Sequence, residues 1–220
     1  MTLKTLLDPL LQTFIVNWHY FAIVAGLAVI AKVLSNPVFK GWLGERRVRK
    51  TLDSLDPGIF RAHHDLYVPR HDSEDLTQID HVIVSPYGVF VIETKNYKGW
   101  IFGSEKQCTW TQQNYRSKQK FQNPLHQNNL HINSLAAYLD LPKNRFHSLV
   151  VFVGQSTFKT PMPDNVISKG LNGWILAHST LSLTPPELES VRARLVDLDQ
   201  HTDRNAASRT HRKNLRSRRA

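Results

Sequence analysis

One apolar segment of the sequence ends in a carboxylate and an amine. Positions 89–95, Val-Phe-Val-Ile-Glu-Thr-Lys, have the β-branched and aromatic residues of a buried strand. Because strand side chains alternate between faces, Glu93 and Lys95 lie on the same face. Buried ionised groups are costly unless they are paired or bind a metal, so this pair indicates a functional site. A solvent-exposed ion pair at the edge of a sheet is the alternative.

A second carboxylate, Asp80, interrupts the preceding apolar segment, residues 78–84. The short connection at residues 86–88 predicts an antiparallel hairpin that keeps Asp80 near Glu93. Two carboxylates and a backbone carbonyl are the hard oxygen ligands that Mg²⁺ or Mn²⁺ prefers. Lys95 beside them could orient an attacking water or stabilise the charge that grows on a phosphate. The pattern indicates metal-assisted phosphodiester chemistry.

Two predicted helices each add a polar residue to this region. Glu45 shares the apolar face of a helix predicted over residues 40–55, and it is a candidate for a further carboxylate near the metal. Gln127 lies on a similar stripe of a helix predicted over residues 124–139. For each residue, a position at the exposed edge of the stripe is the alternative.

These residues belong to five parts of the sequence that together form a recognisable pattern: Gly44–Val48, Gln78–Val84, Gly88–Gly99, Trp110 and Asn123–Asn128. On this pattern the chain resembles the nuclease-related domain (NERD) family, a branch of the PD-(D/E)XK restriction-endonuclease-like superfamily. The resemblance runs from about residue 41 to residue 140, and Ile79 stands where the superfamily name has proline.

The resemblance implies an α/β fold with a mixed central sheet flanked by helices. It implies a nuclease that hydrolyses nucleic acid, DNA in preference to RNA, with Mg²⁺ or Mn²⁺. Asp80 and Glu93 would be the metal ligands and Lys95 the catalytic lysine, with Glu45 and Gln127 accessory to them. A module on the same fold that binds nucleic acid or a membrane partner without catalysis is the alternative. The retention of all three central residues argues against lost catalysis.

Other chemistries have little support in the sequence. His126 and His131 are five residues apart and do not share a helical face, which argues against zinc. The single cysteine, Cys108, excludes an internal disulfide and a cysteine-rich zinc site. No glycine-rich loop ending in Gly-Lys-Ser/Thr is present, so nucleotide hydrolysis of the P-loop type is not indicated.

Residues 10–34 predict a transmembrane helix. Positions 14–31 contain no charged side chain, and the extended stretch exceeds the ~20 residues that a span needs. A buried helix of a soluble domain and a cleavable signal peptide are the alternatives, and both are expected to be shorter. Lysine and arginine after the span predict that residues 35–220 lie in the cytoplasm. From the family's usual distribution, a bacterial inner membrane is expected.

The predicted organisation is a flank (1–9), the span (10–34), a hinge (35–39), a nuclease-like domain (40–199) and a disordered basic tail (200–220). The net charge is +10, and the tail carries seven Lys/Arg and one Asp. Arg212 and Lys213 of the tail could bind nucleic acid or anionic lipid. The aromatic and basic segment around Arg116, Lys118 and Lys120 is a candidate for nucleic-acid binding, and a solvated strand or loop is the alternative. The oligomeric state is left open.

Overall fold

The structure is a computed structural model that describes residues 3–115, 117–201 and 208. It divides into two compact units, Met1–Leu43 and Gly44–Ala220. The helices and strands follow in this order: α1 Leu3–Ser35, α2 Pro37–Leu52, β1 Arg61–Pro69, β2 Leu76–Ser85, β3 Gly88–Lys95, β4 Gly99–Phe102, β5 Thr109–Asn114, β6 Ser117–Gln122, α3 Pro124–Leu139, a 3₁₀ turn Lys143–Arg145, β7 Phe146–Phe152, β8 Ser156–Phe158, β9 Val166–Ile167, α4 Leu171–Leu176 and α5 Pro185–His201.

Helix α1 contains the one segment of the described residues, Val16–Ser35, that is long and apolar enough to cross a membrane. Its mean hydropathy is 1.6 and none of it is buried. Trp18 and Tyr20 are 61% and 60% exposed, whereas a helix of a soluble core would bury an apolar face. Length and composition therefore meet the requirement for a span.

A single residue, Asn36, separates α1 from α2. The sequence predicted a hinge over residues 35–39 and a helix from Lys40, but α2 begins at Pro37. Proline fits the first turn of a helix because it has no N–H to leave unpaired, and the Lys40 N–H donates to the Asn36 carbonyl at 3.0 Å.

The central sheet of the second unit has five strands in the order β1-β2-β3-β7-β9. The first three are antiparallel neighbours, and β7 runs parallel to both β3 and β9, so the sheet is mixed. The predicted hairpin between β2 and β3 is confirmed, with Ser85 paired to Gly88. Gly88 has φ +128°, and an added Cβ would lie 2.7 Å from the Arg145 carbonyl, so this turn requires glycine.

Helices cover both faces of this sheet. On one face, Val89 and Val91 of β3 pack in a cluster with Leu135 of α3 and Leu195 of α5. On the other face, a second cluster contains Phe90 and Ile92 of β3, Val48 and Leu52 of α2, and Ile175 of α4. Alternate residues of β3 therefore enter different clusters, as the period of a strand buried on both sides requires.

A second sheet of four strands has the order β6-β5-β4-β8. It packs through Trp110 and Ile101 against Phe152 and Val150 of β7. Asn123 fixes the loop before β5, because its amide donates to the carbonyls of residues 104, 105 and 107. The same side chain caps α3 by accepting from the Leu125 N–H at 3.0 Å, as the sequence predicted.

Most predicted elements are confirmed to within a few residues, including α3 and the capping box of α5, where Thr184 contacts Glu187. The segment around Lys118 and Lys120, for which strand and loop were both open, forms β6. Strand β8 and helix α4 were not predicted. Helix α5 extends to His201, and the rest of the predicted disordered tail lies outside the described residues. The predicted domain boundaries stay predictions.

His147 is expected to make the stability of the fold depend on pH. Its Nε2 lies 3.0 Å from the Tyr87 carbonyl, its ring stacks on Phe90, and burial together with His178 lowers its pKa. The unfolded chain therefore binds more protons below about pH 6.5, and the free energy of unfolding falls as the pH decreases from 7 to 5. We expect His147→Asn to make this decrease shallower in urea unfolding of the full chain in mild detergent. The exposed His126, replaced by asparagine, is the control, and equal pH slopes for both variants would contradict the prediction.

Candidate active site

Strands β2 and β3 separate at the position of the two predicted metal ligands. Their pairing ends with His81 opposite Ile92, so Asp80 and Glu93 are the first residues beyond the paired region. Asp80 Oδ2 accepts a hydrogen bond from the Thr94 N–H at 2.8 Å. The Thr94 N–H thus donates to a side-chain carboxylate and not to a backbone carbonyl of β2. This hydrogen bond holds Asp80 next to the part of β3 that carries Glu93.

Lys95 connects this strand end to helix α3. Its Nζ donates to Glu93 Oε1 at 2.5 Å and to Gln127 Oε1 at 3.0 Å. The Glu93 side chain is 2% exposed and that of Lys95 is 16% exposed. The structure therefore brings Asp80, Glu93, Lys95 and Gln127 into one region, while their catalytic roles stay predictions.

His131 belongs to the same region and was not predicted there. Its Nδ1 lies 2.9 Å from Thr77 Oγ1, and its Nε2 lies 3.2 Å from Glu93 Oε2. From the sequence, His131 is notable only as a poor candidate for a zinc ligand together with His126, and His126 is exposed and contacts the Glu105 carbonyl. The useful signal was the spacing of four from Gln127, which places both residues on one face of α3.

The two carboxylates differ in their electrostatic environments. Burial, and then the charge of Glu93, raise the pKa of Asp80 well above its usual value. Burial also raises the pKa of Glu93, but Lys95 and His131 outweigh this effect and hold it below its usual value. For Lys95, burial is opposed by Glu93 and Asp80, and the net effect raises the pKa and keeps the amine charged.

Glu45 and a neighbouring ion pair extend the acidic region toward α2. Burial, then Asp65 and Glu93, raise the pKa of Glu45, which is half-buried. Arg49 Nη2 donates to Asp65 Oδ2 at 2.5 Å. Asp65 has φ +56°, a left-handed conformation that an aspartate adopts at some cost in energy. Arg49 and Asp65 were not predicted, because neither interrupts an apolar pattern.

The donor set fits a small divalent cation. Glu93 Oε2 is buried, and its polar contact among the described residues is His131 Nε2 at 3.2 Å, so it has capacity left for a cation. Within those residues, no group of three or more His, Cys, Asp or Glu could hold a metal ion. Mg²⁺ is usually bound by one or two carboxylates, with water and substrate phosphate completing the shell. Asp80 and Glu93 provide that number of carboxylates, and a cation would relieve their mutual repulsion.

The residues predicted to bind nucleic acid lie in different parts of the chain. Lys118 and Lys120 are exposed on β6. Arg116, Arg212 and Lys213 lie outside the described residues. Lys120 also borders a cavity that contains Lys95 and Gln127, so one predicted contact lies close to the candidate active site.

With Mg²⁺ held by Asp80 and Glu93, we expect His131→Asn to lower the affinity of the site for Mg²⁺ and not only the stability of the fold. Loss of a residue that orients a metal ligand typically costs 10–100-fold in metal affinity or activity. The Mg²⁺ concentration for half-maximal cleavage should therefore rise by about 10-fold or more. His126→Asn, on the exposed side of the same helix, is the control. An unchanged Mg²⁺ requirement, with or without a lower melting temperature, would reduce His131 to a packing role.

The mixed sheet covered by helices, with Asp80, Glu93, Lys95 and Glu45 clustered at one strand end, is the arrangement of a nuclease-related α/β domain. A family model described as the nuclease-related domain, NERD, matches residues 40–153, just over half of the chain. The chain therefore belongs to the nuclease-related domain family, and the matched range contains every residue of the cluster.

An uncharacterized protein of Bacillus anthracis is 48% identical over 99 residues, which are 45% of this chain and 46% of that protein. The chain thus matches less than half of the length of this relative. No solved structure matches the chain significantly.

Proposed function

We propose that this protein is a membrane-anchored nuclease that hydrolyses nucleic-acid phosphodiester bonds, preferably in DNA, and depends on Mg²⁺ or Mn²⁺. The main support is the meeting of Asp80, Glu93 and Lys95 where β2 and β3 separate. A structural ion pair would need Glu93 and Lys95 alone. The additional carboxylate, held next to Glu93 despite repulsion between the two, favours a cation at this position, and the charged amine of Lys95 favours a phosphate beside it.

The side chains have separate tasks in this mechanism. Asp80 and Glu93 would hold the cation, which supplies Lewis-acid stabilisation of phosphate charge and lowers the pKa of an attacking water. Lys95 keeps its proton and donates toward the phosphate, where negative charge develops. Gln127 fixes the direction of the Lys95 amine through its carbonyl oxygen. His131 fixes Glu93 from the opposite side.

The test uses the full chain, purified in mild detergent, with linear, supercoiled and single-stranded DNA. Reactions contain Mg²⁺, Mn²⁺ or EDTA, and the variants Asp80→Asn and Lys95→Ala are assayed in parallel. Metal-dependent cleavage that both variants lose is the expected result. Cleavage that persists in both variants would contradict the assignment. No cleavage combined with salt-sensitive DNA binding would favour the non-catalytic module.

Anchoring is proposed from residues 10–34, and the overlapping segment Val16–Ser35 meets the length and hydropathy of a span. The basic residues that follow it, among them Arg46 and Arg47, favour a cytoplasmic position for residues 35–220, in a bacterial inner membrane. The protein should stay in the membrane fraction after carbonate extraction, and protease added outside spheroplasts should leave the nuclease domain intact. Release by carbonate would contradict the anchor. The basic residues Arg212 and Lys213 remain candidates for contact with DNA or anionic lipid.

A further inference from the structure

A cavity of about 580 Å³ lies beside the candidate active site. Lys95 and Gln127, which hydrogen-bond to each other, form part of its wall. Strand β6 forms another part and is the outer strand of the second sheet, so one edge of its backbone has no neighbouring strand within the described residues. The cavity thus connects the catalytic lysine to a strand edge that offers backbone donors and acceptors.

The size of the cavity limits what can enter it. Pockets of about 300–1,000 Å³ hold small organic molecules. A single nucleotide fits this range, whereas a base pair within a duplex cannot enter without leaving its stack. An unpaired nucleotide next to the phosphate at Lys95 would therefore be the part of a nucleic acid that fills the cavity.

The walls offer the three kinds of contact that unpaired nucleotides use. Gln119 and Gln122 present amides that can hydrogen-bond base edges. Tyr97 and Phe121, whose ring centroids are 4.6 Å apart, present aromatic surface for stacking of a base. Lys120 adds a positive charge for a phosphate.

We propose that this cavity binds one unpaired nucleotide adjacent to the cleaved phosphate, so that the substrate is a single-stranded nucleic acid or a single-stranded end. The proposal rests on the proposed function for the position of the cleaved phosphate. The binding of a single strand at the cavity can be measured without cleavage. The proposed contacts are to the base and the phosphate, which DNA and RNA share, so strands of both kinds are tested.

Cys108 allows a direct measurement of occupancy. It is the single cysteine of the chain, it is exposed, and it lies in the wall of the cavity. The full chain in mild detergent and EDTA is alkylated with N-ethylmaleimide, and the modified fraction is followed by mass spectrometry. Oligothymidylate at about ten times its Kd should slow alkylation about 10-fold. Oligouridylate is the RNA arm, and a blunt oligothymidylate–oligodeoxyadenylate duplex should give little protection.

Two variants that each remove one positive charge distinguish binding in the cavity from general electrostatic attraction of the strand to the protein. Lys120→Ala should weaken protection of Cys108 by oligothymidylate and reduce the salt dependence of binding by about 0.7 in log–log slope, one phosphate contact. Lys143→Ala removes the same charge from the 3₁₀ turn before β7, at the opposite end of the sheet from Lys95. This control should leave protection unchanged.

The outcomes distinguish this proposal from the proposed function. Protection by the single strand and not by the duplex, weakened in Lys120→Ala alone, supports the cavity even if no cleavage is detected. Equal protection by the duplex, or no protection by any strand, overturns it. If duplex and single-stranded DNA are then cleaved equally in Mg²⁺, the nuclease stands and the assignment of the cavity fails.

Discussion

Lys95→Ala is expected to lower the rate of metal-dependent cleavage by about 10²–10³-fold, the cost of removing one donor to a developing negative charge. The amine lies 2.5 Å from Glu93 Oε1 and 3.0 Å from Gln127 Oε1, so it is already oriented before substrate binds. Because the proposed role of Lys95 is to act on the phosphate and not to hold the metal, the Mg²⁺ concentration for half-maximal activity should change little. Initial rates across a Mg²⁺ titration measure both quantities.

The variant also removes the charged partner of a buried carboxylate. Breaking such a pair typically costs about 3–5 kcal/mol, so thermal unfolding must be recorded for the same preparation. Lys98→Ala, at an exposed position beyond β3, is the control for loss of a positive charge. A folded Lys95→Ala protein with full activity would remove Lys95 from the mechanism.

Asp80→Asn is expected to abolish measurable cleavage at ordinary Mg²⁺ concentrations and, at the same time, to stabilise the fold. The amide oxygen can still accept from the Thr94 N–H, so the local geometry is retained. The charge that would attract the cation is lost, and we expect a fall in rate of about 10²-fold or more. Asp80→Asn, unlike Lys95→Ala, should need a much higher Mg²⁺ concentration for half-maximal activity. The two variants can therefore be told apart in one titration.

The expected gain in stability follows from the raised pKa of Asp80, which is caused by burial and by Glu93. A carboxyl group whose pKa is higher in the folded state binds its proton more tightly there, so ionisation at neutral pH destabilises the fold. Removing that charge should raise the melting temperature at pH 7 by about 2–4 °C per kcal/mol gained. The difference from the unmodified protein should shrink as the pH falls toward 4. Asp164→Asn, at an exposed position, is the control, and a lower melting temperature for Asp80→Asn at pH 7 would contradict the argument.

Local patterns were sufficient to predict the central part of the site. The alternation of apolar residues put Glu93 and Lys95 on one face of β3, and the short turn at Gly88 placed Asp80 nearby. The stripe that contains Gln127 predicted that it faces the same region, and the contact with Lys95 agrees. These inferences involve residues within one strand, one hairpin or one helix, where backbone geometry fixes the relation between side chains.

Contacts between distant segments required the tertiary structure. His131 meets Thr77 across 54 residues, and nothing local to either residue indicates the contact. The same holds for Arg49 and Asp65, which come from a helix and a strand. Strand β8 and helix α4 have three and six residues, too few for a periodic pattern to be visible.

The sequence by itself determined that an acid–acid–lysine group lies at the end of a buried hairpin and that an apolar segment long enough to span a membrane precedes the domain. Only the tertiary structure decided how the group is held. In the structure β2 and β3 separate beyond His81, and Asp80 accepts a hydrogen bond from the Thr94 N–H. Two residues of α3 complete the site, since His131 contacts Glu93 and Gln127 contacts Lys95. The physical reason is that strand and helix periods fix the faces on which residues lie. Which faces meet, and where a ladder of hydrogen bonds ends, depends on packing between segments far apart in the chain.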